Sequence, residues 1–205
     1  MELCVNFEEV FHISMLIIPR CKMLKQLKPA LICFLIMTII CGVIYTGVVT
    51  GVAQLFFPHQ ANGSIITVTL KDGTKKAYGS ELIAQDFTAP QYLIGRPSDV
   101  SNLSPVSDEE KTLIEERIDW WHNFDPTNTA DIPMDLLTAS GSGVDPDISP
   151  AAAQYQVARI AKARDMSQDE VRSIIDKHTS GRLLGFIGEP RVNVLMTNLD
   201  LDGLL

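Results

Sequence analysis

The sequence predicts an α+β protein: a single N-terminal transmembrane helix followed by one extracytoplasmic domain of a small sheet with about three helices. Two observations carry that prediction. No Asp, Glu, Lys or Arg falls between Lys28 and Lys71, and the stretch Pro29 to Phe57 is apolar apart from scattered Thr and one Gln. Beyond it, a strand–turn–strand pattern gives way to segments of helical periodicity with N-terminal caps, and then to an alternating segment near the C-terminus.

The apolar run covers residues 29–57. At ~1.5 Å per residue it makes ~43 Å of helix, more than the ~30 Å hydrocarbon core, so it crosses with tilt or with its ends among the headgroups. Orientation follows from the flanks. Arg20, Lys22, Lys25 and Lys28 precede the span and the next basic residue is Lys71, which places residues 1–28 in the cytoplasm and residues 58–205 outside. A cleaved signal peptide has the same outline, but its apolar region is normally ~7–15 residues and ends at a small-x-small site. Leu55-Phe56-Phe57-Pro58 offers no such site, so a retained anchor in the cell membrane is expected.

Residues 1–22 contain only one short apolar stretch, Ile13 to Ile18, and read as an appendage; Met23 stands just before the basic lead-in Leu24 to Lys28, where translation is expected to begin. From Pro58 on, 13 Lys and Arg face 22 Asp and Glu, a net charge of −9. Such a surface repels nucleic acid and anionic lipid and attracts cations without selecting among them. All four cysteines (Cys4, Cys21, Cys33, Cys41) precede residue 42, so packing alone must hold the outer domain. The histidines His12, His59, His122 and His178 stand apart from one another, and no metal site is expected from them.

Within the outer domain, Ser64 to Leu70 is rich in β-branched residues, and Lys71-Asp72-Gly73-Thr74 supplies the Asp-Gly turn of a hairpin into Lys75 to Tyr78. Gly79 to Phe87 reads as a short helix or turn, and Pro90 to Pro105 as a loop with turn chemistry at Gly95-Arg96-Pro97-Ser98 and Ser101-Asn102. Ser107-Asp108-Glu109-Glu110 has capping-box spacing and opens a helix with Ile114, Ile118 and Trp121 toward the core, ending near Phe124-Asp125-Pro126. Glu115, Glu116 and Asp119 form its solvated face. A second helix starts at Ser149 with Pro150 in its first position and buries Ala153, Val157, Ile160 and Ala161. A third opens with the box Ser167 to Glu170 and buries Val171, Ile174, Ile175 and the stem of His178. Pro190 to Leu199 alternates as a strand with Val192, Val194 and Met196 on one face, expected to return to the first sheet.

Leu137 to Pro150 is the least ordinary stretch. Thr138, Ser140, Gly141, Ser142, Gly143 and Asp145 are the weak candidates there for binding a nucleotide or docking a partner, because small residues before a helix expose backbone N–H groups to an anion. No Lys follows, as a phosphate-binding loop requires, and neither Ser140 nor Ser142 has glycines two residues on both sides, as a nucleophile elbow requires. The simplest reading is a structural loop that Ser149 closes as the cap of the next helix. Asp145 and Asp147 beside the serines lack the spacing of a calcium loop. In the span, Gly47 and Gly51 form a small-xxx-small pair with Gly42 one turn earlier, a face on which a partner helix can approach closely.

Several blocks together resemble one family closely. They are Asn62-Gly63-Ser64, Gly95-Arg96-Pro97-Ser98, Thr138 to Pro146 leading into Ile148-Ser149-Pro150-Ala151-Ala152, Gln156 to Arg164, Gly185 to Val194, and Asn198-Leu199-Asp200-Leu201-Asp202. On these the chain, from about Lys28 to its end, is identified as a member of the C-subunit family of the Kdp-type potassium-transporting ATPase (KdpC). The stretch Pro97 to Asn102 is shorter than the corresponding loop of many members, and residues 1–22 have no counterpart, which agrees with a start at Met23. The resemblance implies an accessory, non-catalytic subunit beside a polytopic channel-like potassium subunit (KdpA) and a P-type ATPase subunit (KdpB). It also implies a catalytic-chaperone effect that raises the ATP affinity of the complex, with Arg96, Ser98 and Asn102 in a docking loop. Since ATP is cytoplasmic and the domain is expected outside, any such effect is expected to be allosteric, alongside roles in assembly and at the outer potassium entrance. No cofactor is expected to be bound by the chain itself. A second reading stays open on the residues alone: a free-standing membrane-anchored binding protein or hydrolase using the Ser140/Ser142 loop.

Overall fold

A computed structural model describes residues 20–98 and 103–205, with side chains from Lys25 on. The expected appendage before Arg20, and Asn102 of the expected docking loop, lie outside the described residues. The chain forms two compact units, 1–61 and 62–205.

In the first unit, helix α1 (Arg20–Thr38) continues through a π-helical segment, Ile39–Tyr45, into α2 (Thr46–Phe56), and a short α3 (Pro58–Ala61) follows. The helix thus begins upstream of Pro29, across the basic lead-in. Lys25–Phe56 is long and apolar enough to cross a membrane: 32 residues at ~1.5 Å each make ~48 Å. Cys33 and Cys41 are free and exposed on it.

The second unit opens with the predicted hairpin. Strands β1 (Ile65–Thr69) and β2 (Lys75–Ser80) pair antiparallel from Ile65 opposite Ser80 to Thr69 opposite Lys75. The register slips between Ile66 and Thr67, so Tyr78 bulges out. The turn closes as its composition requires: Gly73 takes φ +81°, and Asp72 Oδ1 accepts from both the Thr74 amide and its hydroxyl. Residues 81–83 turn, and 84–88 continue as irregular chain.

Helix α4 (Asp108–Phe124) starts at Ser107, whose hydroxyl accepts from the Glu110 amide, and it buries Trp121 with Ile114 and Ile118 packed alongside. A 3₁₀ turn (Met134–Leu136) leads to β3 (Asp147–Ile148) and then to α5 (Pro150–Arg164). Helix α6 (Gln168–Lys177) carries a complete reciprocal capping box between Ser167 and Glu170. Strands β4 (Thr179–Ser180) and β5 (Arg191–Asn193) and helix α7 (Val194–Leu201) complete the unit. Leu93, Trp121, Ile148, Val157, Ile160, Val171 and Val192 are the centre of one apolar core.

Two sequence expectations are corrected here. The alternating segment Pro190–Leu199 is strand only as far as Asn193; Val194 to Leu201 is helix. The Asn193 side chain accepts from the Met196 amide as a helix cap, and the helix buries Val194, Leu195, Leu199 and Leu201. Alternation over so few residues does not separate a strand from a buried helical turn, and packing decided. The strand also does not return to the first sheet. It is the centre of a second antiparallel sheet, β3-β5-β4, whose strand β3 falls within the stretch expected to be loop. Asn193 Nδ2 donates to the Glu81 carbonyl (2.8 Å) and to Asp147 Oδ1 (3.2 Å), which holds the segment after the hairpin against this second sheet without extending it. Among the described residues of the second unit, α4, α5, α6 and this terminal α7 are the helices of two turns or more, in keeping with the small sheet and several helices expected.

Candidate functional site

Two buried residues of α5 and one of α7 build the floor of the candidate region. The amide of Gln156, with no exposed surface, accepts from Ile94 N and donates to Ile94 O, both at 2.9 Å. Asn198 does the same for Leu93, accepting from its N–H at 2.7 Å and donating to its carbonyl at 2.8 Å. Arg159 donates to the Pro90 and Tyr92 carbonyls and to Gln156 Oε1, and stacks over Phe124. Burial pushes its guanidinium down to about 10, against the opposing pull of Asp125 and Tyr155, so it remains a cation at neutral pH. Sequence reading missed all three as anchors. Polar side chains on the inner face of otherwise apolar helices were the available signal.

Residues 90–94 thus pinned, Gly95-Arg96-Pro97-Ser98 is delivered to the rim of a cavity of about 370 Å³ bounded by residues 84–88, α4 and the start of α7. Arg96 reaches across to the Leu137–Pro150 loop, donating to Thr138 O (3.2 Å), Thr138 Oγ1 (3.4 Å) and Ala139 O (3.4 Å). From α4, Arg117 Nη1 donates to Leu137 O at 2.7 Å. Two guanidiniums therefore hold three successive carbonyls at the head of that loop. Trp120, stacked on Phe124 at 4.6 Å, forms an exposed wall beside them.

The loop's hydroxyls are engaged within the loop. Ser140 Oγ lies 3.2 Å from Ser142 Oγ and accepts from the Gly143 amide (2.9 Å), while Ser142 Oγ accepts from the Val144 amide (3.3 Å). Asp145 Oδ1 accepts from the Asp147 amide. Gly143 is buried with φ +68°, whereas Gly141 is exposed, has no positive φ and has open space where a Cβ would stand. The loop ends in β3, and Ser149 then caps α5, accepting from Ala152 N (3.1 Å), while its own amide and hydroxyl donate to Asp135. Thr138, Ser140, Gly141, Ser142, Gly143 and Asp145 thus form one turn system, and Arg96 joins it; Ser98 is exposed at the rim. Burial raises the carboxyl of Asp147 despite the neighbouring Arg191 cation. Among the described residues, no group of three or more His, Cys, Asp and Glu is arranged to hold a metal ion.

In the span, five residues separate Gly42 from Gly47, about 1.4 turns of α-helix. The π-helical segment contains Gly42, and i→i+5 bonding widens the turn beyond the 3.6 residues of an α-helix, which brings Gly42 back toward the column of Gly47 and Gly51. A side-chain bond of the same reach, Thr46 Oγ1 to Cys41 O at 3.1 Å, accompanies it. An added Cβ at Gly47 or Gly51 would meet no atom of the chain within 4 Å.

A third feature lies after β4. Leu183, Leu184, Phe186 and Ile187 form an exposed apolar tip, with Leu184 77% and Phe186 73% exposed. A Leu183–Ile187 bridge and an Arg182–Glu189 ion pair brace it, and Leu184 and Gly185 take φ +54° and +83° to turn the chain.

The family model "KdpC: K+-transporting ATPase, c chain" matches residues 27–203. A potassium-transporting ATPase KdpC subunit of Listeria monocytogenes is 59% identical over 180 residues, 86% of this chain and 95% of that protein. The corresponding subunit of Methylococcus capsulatus is 48% identical over 194 residues, covering 89% and 100%, and that of Sorangium cellulosum 46% over 193 residues, covering 88% and 99%. With the match running from the apolar span through the Arg96 rim and the hydroxyl loop to the terminal helix, the chain belongs to the KdpC family, the C chain of the K+-transporting ATPase, and so is a subunit of a potassium uptake complex.

Proposed function

We propose that this chain is a non-catalytic accessory subunit that assembles with a channel-like potassium subunit (KdpA) and a P-type ATPase subunit (KdpB), with its N-terminus cytoplasmic and its acidic domain outside the cell membrane. The observation that carries the assembly role is the apolar tip at Leu183 to Ile187. Four large apolar side chains on an otherwise acidic domain are covered at a modest cost by a protein partner, and left in water they favour aggregation. The glycine column at Gly42, Gly47 and Gly51 supports a matching contact within the membrane. The engagement of Ser140 and Ser142 in their own turn supports a structural and docking loop. Any effect of the subunit on ATP affinity then reaches the nucleotide site of the partner through the assembled complex.

Affinity purification of the tagged chain from membranes co-expressing the partner subunits tests this reading. Recovery of both partners with the unaltered chain, and its loss with Phe186→Glu or Gly47→Leu, is the expected result; recovery of the chain alone overturns it. Protease added outside spheroplasts is expected to digest the chain beyond about His59 and spare an N-terminal tag. Tight ATP binding by the purified chain, abolished by Ser140→Ala, would restore a direct nucleotide role.

A further inference from the structure

We infer that the cavity beside Arg96 receives a carboxylate side chain from a partner protein of the complex, an inference that rests on the docking role proposed above. Arg96 is the origin of the argument. Among the described residues, every hydrogen-bond acceptor of its guanidinium is a carbonyl or hydroxyl oxygen of Thr138 or Ala139, and its Nε is buried with no partner at all. Arg96 is half-buried and forms no ion pair among the described residues, so its guanidinium faces the cavity with neutral oxygens as its acceptors and its Nε unpartnered, and an incoming carboxylate supplies the counter-charge that those oxygens do not. Asp86 and Asp145 also line the cavity, but Asp145 gives a carboxylate oxygen to the Asp147 amide and neither hydrogen-bonds to Arg96. Arg117, on the same wall, adds a second guanidinium held in place by the Leu137 carbonyl.

The rest of the cavity narrows the ligand. Its deeper lining is apolar, with Ile94, Leu136 and Val194, and the face of Trp120 is exposed at its side. A guanidinium fork matches a planar carboxylate bidentately, and the apolar lining accepts the carbon stem of a Glu or the flanking residue of an acidic segment. The domain's net charge of −9 opposes a nucleotide, a phosphate or an anionic lipid, each of which brings more charge or a charged surface, and disfavours a single carboxylate least. Trp and Arg on one concave wall are also the residue types that anchor protein interfaces. The occupant is therefore a protein segment with an Asp or Glu flanked by apolar residues.

The test uses the full chain in the co-purified complex, with Trp120 replaced by the photo-crosslinker p-benzoylphenylalanine. Irradiation is expected to give an adduct to a partner subunit within about two or three residues of an Asp or Glu. Arg96→Gln and, separately, Ser98→Glu are expected to cut the adduct yield by about fivefold or more, through loss of the cation and through repulsion at the rim. Arg96→Lys keeps the charge and is expected to restore part of the yield. Ser98 is exposed at the rim, so its variant reads the site without threatening the fold. Adducts only to lipid or to this chain, or adducts undiminished in both variants, overturn the inference while the recovered complex leaves the docking role standing. Failure of the unaltered chain to recover a complex overturns the docking role and this inference with it.

Discussion

The two halves of the segment Pro90–Ser98 are held in opposite ways. Residues 90–94 are held at the backbone by side chains of α5 and α7: Arg159 on the Pro90 and Tyr92 carbonyls, Arg164 on that of Gln91, Asn198 on both groups of Leu93 and Gln156 on both groups of Ile94. Among the described residues no such clamp holds 95–98; Arg96 instead reaches out to the hydroxyl loop with one nitrogen unpartnered. A chain segment that cannot pair in a sheet must satisfy its backbone somewhere, and here interior amides do so, leaving the following residues to face a cavity. Rigid anchoring on one side of a loop is what makes the other side a defined surface.

If that contrast is right, breaking the clamp is the most damaging change. Asn198→Ala removes both hydrogen bonds to Leu93 and leaves a buried N–H and C=O without partners, an expected loss of about 3 kcal/mol. A denaturant titration of the full chain in detergent, followed by the fluorescence of Trp120 and Trp121, measures it; a loss under about 1 kcal/mol would mean that water replaces the amide.

A second contrast sits inside the hydroxyl loop. Gly143→Val forces a β-branched side chain onto φ +68° in a buried position and is expected to cost about 2 kcal/mol, whereas Gly141→Val, with open space and no positive φ, is expected to stay within about 0.5 kcal/mol. Equal effects at the two positions would show that the turn's conformation is not what the glycines serve. Ser149→Ala removes the hydroxyl cap of α5 and is expected to cost about 1 kcal/mol in the same titration.

Arg96→Gln sharpens the comparison from the other half. It removes the bonds to Thr138 and Ala139 together with an incompletely paired cation, so stability is expected to change by under about 1 kcal/mol. A larger loss would make Arg96 part of the clamp.

The smallest effect concerns acid. Burial of Asp200 raises its carboxyl, but hydrogen bonds and charge from Lys177 (2.7 Å) and His178 (2.8 Å) outweigh this and hold it below its ordinary value. Its contribution is therefore present above the unfolded carboxyl value of about 3.9 and is lost as pH falls through the lower folded value. Asp200→Asn is expected to lower the melting temperature at pH 6, with the gap to the unaltered chain narrowing as the pH falls below the unfolded carboxyl value of about 3.9. A gap that persists unchanged in acid would assign the effect to packing.

Legibility in the sequence followed the range of the interactions. The span, the Asp72-Gly73 turn and the caps at Ser107, Ser149 and Ser167 depend on residues within a few positions of one another, and composition and spacing are enough to identify them. The hydroxyl loop was recognisable as a turn system before α5, although not which glycine needs positive φ, because that depends on how Ser140 folds back on Gly143.

What the sequence by itself determined is therefore the long apolar helix, the hairpin, the starts of three helices and the family. Only the tertiary structure decided that Val194 to Leu201 coils into a helix, that β5 pairs with β3 and β4 and not with the hairpin, and that Gln156, Arg159 and Asn198 turn inward to hold residues 90–94. These outcomes join residues far apart in the chain. They follow from burying apolar surface while leaving few backbone groups unpaired, a condition on the whole domain that no short window of sequence contains.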